Sequence, residues 1–298
     1  MSNAIFGANG YIGCHLASYL FSCGEEVCLF DRQEKPLSPG LEYHSCDITS
    51  LEFWQNFPID EFSAIYFMAG LSGVEDSFKN CHDFIGVNVN GLLNLLQRLE
   101  PLGTKAPKII FPSSRLVYRG GGEVTEESPL EARSVYAASK ISCECLLQAF
   151  HHRYGIPYAV LRIGVPYGEF VNRDYSSGTL FFFKRRVFAG KPIIVYGDGQ
   201  CSKTYTYIKD LCCLFRIAAL SSNVEGVYNV GGHNYTLREV AETVASAYNG
   251  VVQFAPWPQS ASSVEMGNIV LNSTKLSTTI GYYEYERMEN LPRLGICL

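Results

Sequence analysis

The chain of 298 residues is 47% apolar and 18% charged, enough for one large α/β domain or a domain with a smaller cap, and too uncharged for a disordered chain. Its formal net charge of −5 lacks the basic excess of a polyanion binder, so no nucleic-acid partner is expected. Ala4-Ile5-Phe6 is too short for a secretion signal, and no run approaches the roughly 20 apolar residues of a membrane span, so a cytoplasmic protein with no membrane partner is expected.

Strand and helix signals alternate through the first half, the order of a parallel sheet with crossover helices. Residues 4–6 read as a short strand, 11–23 as a helix stopped by Gly24, 27–30 as a second strand ending at Asp31, and 64–68 as an apolar strand. Helical periodicity follows over 87–99 before Pro101, then a strand at 108–111, a long helix at 135–152 and a further strand at 158–163. This order predicts a Rossmann-type doubly wound α/β sheet with helices on both faces and a ligand site at the carboxyl ends of the strands. Beyond residue 164 the pattern loosens. Residues 227–230 read as a strand returning to the sheet, and 236–248 as a helix with Thr236 as N-cap and Glu239 in the capping-box position. The tail from 251 reads as short strands and turns. The expected division is 1–164 for the cofactor domain and 165–298 for mainly a smaller C-terminal α/β substrate cap.

Eleven cysteines are scattered, with no Cys-x-x-Cys pair and no zinc-ligand spacing to histidine, so reduced core cysteines and no metal site are expected.

The segment 6–13 has the form G-x-x-G-x-x-G, with Gly7, Gly10 and Gly13 between the first strand and the first helix. Glycines there permit a tight turn and close approach of backbone N–H groups to a pyrophosphate at a helix N-terminus. Asn9, Tyr11 and Ile12 lie in the same turn and are counted as cofactor contacts. Asp31, 18 residues past Gly13, can accept from adenosine ribose hydroxyls and would repel a 2′-phosphate, which favours NAD over NADP. Arg32 pulls the other way, since it could pair with that phosphate.

Tyr136-Ala137-Ala138-Ser139-Lys140 places a phenol and an ammonium four apart on one helix face. A nearby Lys⁺ favours the phenolate and so equips Tyr136 as a general base.

These residues, with Phe111-Pro112-Ser113-Ser114-Arg115-Leu116-Val117-Tyr118, Met68-Ala69-Gly70-Leu71, Asp47-Ile48, Val87-Asn88-Val89-Asn90-Gly91, Val195-Tyr196-Gly197-Asp198-Gly199 and Tyr228-Asn229-Val230-Gly231-Gly232, resemble the extended short-chain dehydrogenase/reductases of the NAD-dependent epimerase/dehydratase family. The resemblance runs over nearly the whole chain and looks most like the nucleotide-sugar 4-epimerases. It implies a catalytic set of Ser114, Tyr136 and Lys140. It also implies cofactor contacts from Asp47, Ile48, Met68, Ala69, Gly70, Asn88, Tyr136 and Lys140, and a homodimer paired through helices near 85–99 and 135–152. Taken singly each has a plain reading: a strand-end hydroxyl for Ser114, a solvated helix residue for Lys140, a cap for Asn88. Their joint order favours function.

The chain departs from the family in informative places. Where the 4,6-dehydratases carry an Asp-Glu pair, it has Arg115 and Leu116, neither a general acid at neutral pH, which disfavours dehydration. Ser72 stands where the 4-epimerases place a Lys, Val165 where they place an Asn, and Lys203 where they place an Arg. With Arg115 these are the expected substrate contacts. The leading expectation is an NAD-dependent nucleotide-sugar epimerase. A keto-sugar reductase or dehydrogenase using NAD(P)H is the second, and a non-catalytic NAD-binding regulator the third.

Overall fold

Strand β1 (Ser2–Phe6) turns Ala4 and Phe6 to one side and Ile5 to the other, and all three are fully buried, as the two-residue period requires of a strand covered on both faces. The computed structural model describes residues 2–36, 40–171, 178–258 and 266–293. After β1 come helix α1 (Tyr11–Ser22), β2 (Val27–Asp31), β3 (Glu42–Ser45), α2 (Leu51–Asn56) and β4 (Phe62–Phe67). Short helices α3 (Val74–Lys79) and α4 (Cys81–Phe84) precede α5 (Gly91–Leu99), followed by β5 (Lys108–Ser114), β6 (Gly122–Val124), α6 (Val135–Tyr154), β7 (Tyr158–Ile163) and β8 (Val165–Tyr167). The remainder holds α7 (Thr179–Phe188), β9 (Ile193–Tyr196), β10 (Ser202–Tyr207), α8 (Ile208–Leu220), β11 (Gly226–Asn229), β12 (His233–Thr236), α9 (Leu237–Tyr248), β13 (Val252–Ala255), β14 (Ile269–Leu271) and α10 (Thr274–Ile280).

Seven strands form one parallel sheet in the order β11-β7-β5-β4-β1-β2-β3, so the strand order reverses between β1 and β4. Such a switch point opens a crevice at the strand carboxyl ends. The doubly wound α/β fold is therefore present. Helices α1 and α8 pack on the face that takes Ile5 and Leu29, with Leu16, Leu20, Leu211 and Phe215 in the seam. Helices α5 and α6 cover the opposite face, where Phe6, Phe30 and Phe67 meet Leu92, Leu95 and Leu147. Each such side chain contributes about 1.5–3 kcal/mol by leaving water. Two late elements, α8 and β11, thus belong to the large layer. A second sheet runs β12-β10-β14-β6 with β8 beside β10, and β13 pairs with β9.

Two local readings differ in detail and one holds. The helix expected over 87–99 starts as a π-turn, Ile85–Asn90, before regular α5. Wide turns of this kind cluster at functional sites, and here Gly91 fits under Ile48, whose Cδ1 would lie 2.6 Å from an added Cβ. The tail expected as strands and turns contains α10. Its periodic apolar signal is short, and Ser277, Thr278 and Thr279 return their hydroxyls to the preceding turn. The capping box on α9 forms as read, with Thr236 and Glu239 bonded reciprocally. Among the described residues no helix is long and apolar enough to cross a membrane.

Candidate active site

The turn after β1 is defined by what it cannot accommodate. Gly7 has φ of +78°, and a Cβ there would lie 2.5 Å from the Ala69 nitrogen; a Cβ on Gly13 would lie 2.1 Å from the Gly7 carbonyl oxygen. The turn is pressed against both its own helix and the end of β4, so backbone replaces side chain at the crevice floor. Gly13→Ala should cost about 1–3 kcal/mol of stability through overpacking and weaken dinucleotide binding together with it, measurable by thermal unfolding with and without NAD.

A cleft of about 290 Å³ opens above this turn. Gly7, Asn9, Gly10, Asp31, Arg32, Asp47, Ile48, Met68, Ala69 and Gly70 line it. Asp31 holds its own rim, accepting from the Asn9 amide at 3.0 Å and the Gln33 amide at 3.2 Å. The carboxylate at one end, the glycine turn at the helix N-terminus and the tight β4 loop fit an adenine dinucleotide. Phe30, Gln33, Cys46, Thr49, Leu71 and Val87 also line the cleft and were not counted among the cofactor contacts, although Leu71 and Val87 stand in the motifs quoted above; all lie within a residue or two of positions that the sequence singled out.

Other expected cofactor residues stand outside this cleft. Tyr11 sends its hydroxyl 2.6 Å to the Gly168 carbonyl, Ile12 packs on the core, and Gly13 lies under the turn. Asn88 is buried and works on the protein: its Oδ1 accepts from Leu71 N at 2.7 Å, and its Nδ2 donates to Leu71 O and to Ser139 Oγ. It fixes the loop lining the cleft to helix α6. A spacing argument cannot distinguish this from cofactor contact.

Ser114, Tyr136 and Lys140 converge at the carboxyl end of β5. Ser114 ends that strand and caps the following turn, its Oγ accepting from Leu116 N at 3.2 Å, while its hydroxyl hydrogen-bonds Tyr136. Tyr136 is the second residue of α6, which Ser134 caps through Ala137 N; the helix N-terminus favours a negative phenolate. Burial raises the Tyr136 phenol above its ordinary range, and Ser114 and the Arg115 charge pull it back. The Arg115 charge is one cation acting on the phenol, and Lys140 donates to the Pro112 carbonyl at 2.8 Å with its Nζ over the Tyr136 ring, 6.0 Å from the centroid. A buried ammonium must find an acceptor, and the strand carbonyl supplies it; burial also lowers Lys140 below the usual lysine range, against Cys143 and Glu144.

Beneath the set lies a buried polar network. Glu144, two helical turns beyond Tyr136, accepts from Ser113 Oγ and is gripped by Arg162 of β7 at 2.6 Å. Arg162 continues to the Tyr118 hydroxyl at 2.9 Å, which donates to Asn229 Oδ1 at 2.6 Å. Asn229 Nδ2 then reaches the carbonyls of Val124 and Asn272. The network joins the strand carrying Ser114 to the helix carrying Tyr136.

The four expected substrate positions are spread. Ser72 is exposed after β4, and Arg115 follows Ser114. Val165 and Lys203 lie in the second sheet, Val165 opposite Tyr205 and Lys203 opposite Tyr235. Spacing along the chain revealed no metal-ligand set, yet folding brings ligand atoms of Cys28, Glu42 and His44 within 4.8 Å of one another. Burial, then Glu42, pushes the Cys28 thiol up to about 12, and His44 is bonded to Glu42 at 2.9 Å, so the trio lacks a ready thiolate.

The sheet, the glycine turn and the Ser–Tyr–Lys cluster define a dinucleotide-dependent enzyme of the extended short-chain dehydrogenase type. The chain belongs to the NAD dependent epimerase/dehydratase family, whose model matches residues 4–231. It is 28% identical over 248 residues to UDP-glucuronate 4-epimerase of Thermodesulfobacterium geofontis, covering 76% of this chain and 74% of that one. It is 30% identical over 181 residues to dTDP-glucose 4,6-dehydratase of Xanthomonas campestris, covering 57% and 51%. The crystal structure of Thermus thermophilus UDP-glucose 4-epimerase in complex with NAD superposes with a TM-score of 0.86 at 28% identity, over 99% of this chain and 98% of that one.

Proposed function

We propose that the chain is a nucleotide-sugar epimerase of the 4-epimerase type that uses NAD in preference to NADP. One observation carries the choice within the family: the turn after Ser114 presents Arg115 and Leu116, so no acid–base pair stands where elimination of water would need one. Asp31 at the rim of the cleft supports NAD. The residues around the glycine turn and Asp31 would hold NAD in this cleft, where it would supply reversible hydride transfer. Ser114, next to the Tyr136 phenol, orients the reacting sugar hydroxyl for it. Tyr136 takes the hydroxyl proton and returns it after the sugar has turned over. Lys140, fixed on Pro112, holds positive charge under the phenol. In this reading Ser72, Val165 and Lys203 face the nucleotide sugar, and the part of 165–298 outside the large sheet covers it.

Denaturing freshly purified protein and weighing the released nucleotide by mass spectrometry tests the proposal. Near-stoichiometric NAD or NADH is expected, because an internally recycled hydride needs a retained cofactor. An empty protein would overturn it in favour of a reductase with an exchangeable cosubstrate.

A further inference from the structure

The edge of the large sheet carries three side chains that the chemistry above leaves unused. Strands β2 and β3 are parallel, and their register sets Cys28 opposite Glu42 and Phe30 opposite His44. Residues two apart on a strand share a face, so Cys28, Glu42 and His44 stand on one side of the sheet, the side that takes Phe30. Their ligand atoms lie within 4.8 Å of one another. Cys28 is 4% exposed, and its thiol bonds the Glu42 carboxylate, which also meets His44 Nε2 at 2.9 Å. Phe30 stacks on the His44 ring, with centroids 5.3 Å apart, and so fixes the plane of the imidazole. A cavity of about 640 Å³ opens over the trio. Its described lining residues include the carboxylates of Glu42, Asp47, Glu52 and Glu61 and no lysine or arginine, so its wall favours a cation.

A sulfur, an imidazole nitrogen and a carboxylate oxygen together make a donor set for zinc, which is borderline-soft and takes all three. Tetrahedral zinc, with bonds of about 2.0–2.3 Å, spaces its ligand atoms roughly 3.4–3.6 Å apart, so the trio closes on an ion by small side-chain rotations. The charges match as well: one thiolate and one carboxylate balance a dication. Burial and then Glu42 keep the free thiol protonated, and its proton passes to solvent as the sulfur–zinc bond forms. We propose that Cys28, Glu42 and His44 form a zinc site, with water as the fourth ligand, that ties edge strand β3 to β2. The tie stands beside the cofactor cleft, since Phe30, Cys46 and Asp47 line both hollows and Asp31 ends the strand that carries Cys28.

The test titrates cobalt(II), a coloured stand-in for zinc, into the full chain freed of metal with a chelator. Saturation at one equivalent is expected, with a thiolate-to-cobalt charge-transfer band and the visible bands of a tetrahedral ion, and one equivalent of zinc should bleach both. Cys28→Ser is expected to remove the charge-transfer band. His44→Ala changes a half-exposed side chain and leaves the core intact, and it should weaken binding at least about tenfold. Zinc should also raise the unfolding temperature of the wild type more than that of His44→Ala, so this variant decides if Cys28→Ser does not fold. Absence of saturable binding overturns the site. Cobalt bands unchanged in the folded variants overturn it too, by placing the ion on other cysteines.

Discussion

Tyr136→Phe is expected to lower kcat by about 10²- to 10⁴-fold, the range for losing a positioned acid–base group, while released NAD stays near stoichiometric. The phenol oxygen is the only atom removed, and the cleft over the glycine turn does not include Tyr136 among its lining residues. The ring keeps its edge contact with Phe84, at 6.4 Å between centroids. Full turnover in this variant would sink the mechanism. The rate's dependence on pH offers a finer check. Tyr136 is raised by burial, and Ser114 and Arg115 counter that rise. Removing the Arg115 charge leaves burial less opposed, so the phenol moves further up. The limb along which kcat/KM rises with pH should then shift to higher pH in Arg115→Leu. An unmoved limb would mean that another cation governs the phenol.

Glu144→Gln is expected to destabilise the folded chain by about 3–5 kcal/mol, because it leaves the Arg162 guanidinium buried and uncompensated. Both side chains are nearly closed to solvent, at 5% and 6% exposure. Against the roughly 5–15 kcal/mol that holds a typical domain folded, this is a large share, readable as a lowered denaturant midpoint. The double variant Glu144→Leu with Arg162→Met removes both charges and should recover much of the loss. No recovery would show that the lost Ser113 and Tyr118 hydrogen bonds, rather than the unpaired charge, dominate.

The parts of the site legible in the sequence are those with a local period. Gly7, Gly10 and Gly13 recur every three residues, Asp31 closes a strand, Tyr136 and Lys140 share a helix face, and Thr236 with Glu239 spells its own cap. The sheet was legible for the same reason, since its strands alternate with helices of ordinary length. Contacts between distant segments were not. Asn88 carries the right residue type, but its bonds to Leu71 and Ser139 depend on a π-turn that no spacing rule announces. Lys140 turns to Pro112 because β5 happens to present a carbonyl there. Tyr205 reads as one more aromatic alternating with polar residues until its register against Val165 is known.

The chain of bonds from Ser113 through Glu144, Arg162, Tyr118 and Asn229 to Asn272 also bears on the order in which the molecule is made. Tyr118 and Asn229 are 111 positions apart, and Asn229 reaches 43 further to Asn272. Closing such wide loops is slow, and segments emerge from the ribosome one after another. A nascent chain halted before residue 272 already holds Ser114, Tyr136 and Lys140, yet it lacks the last brace under the strand that carries Ser114. That brace therefore closes only after residue 272 has been joined.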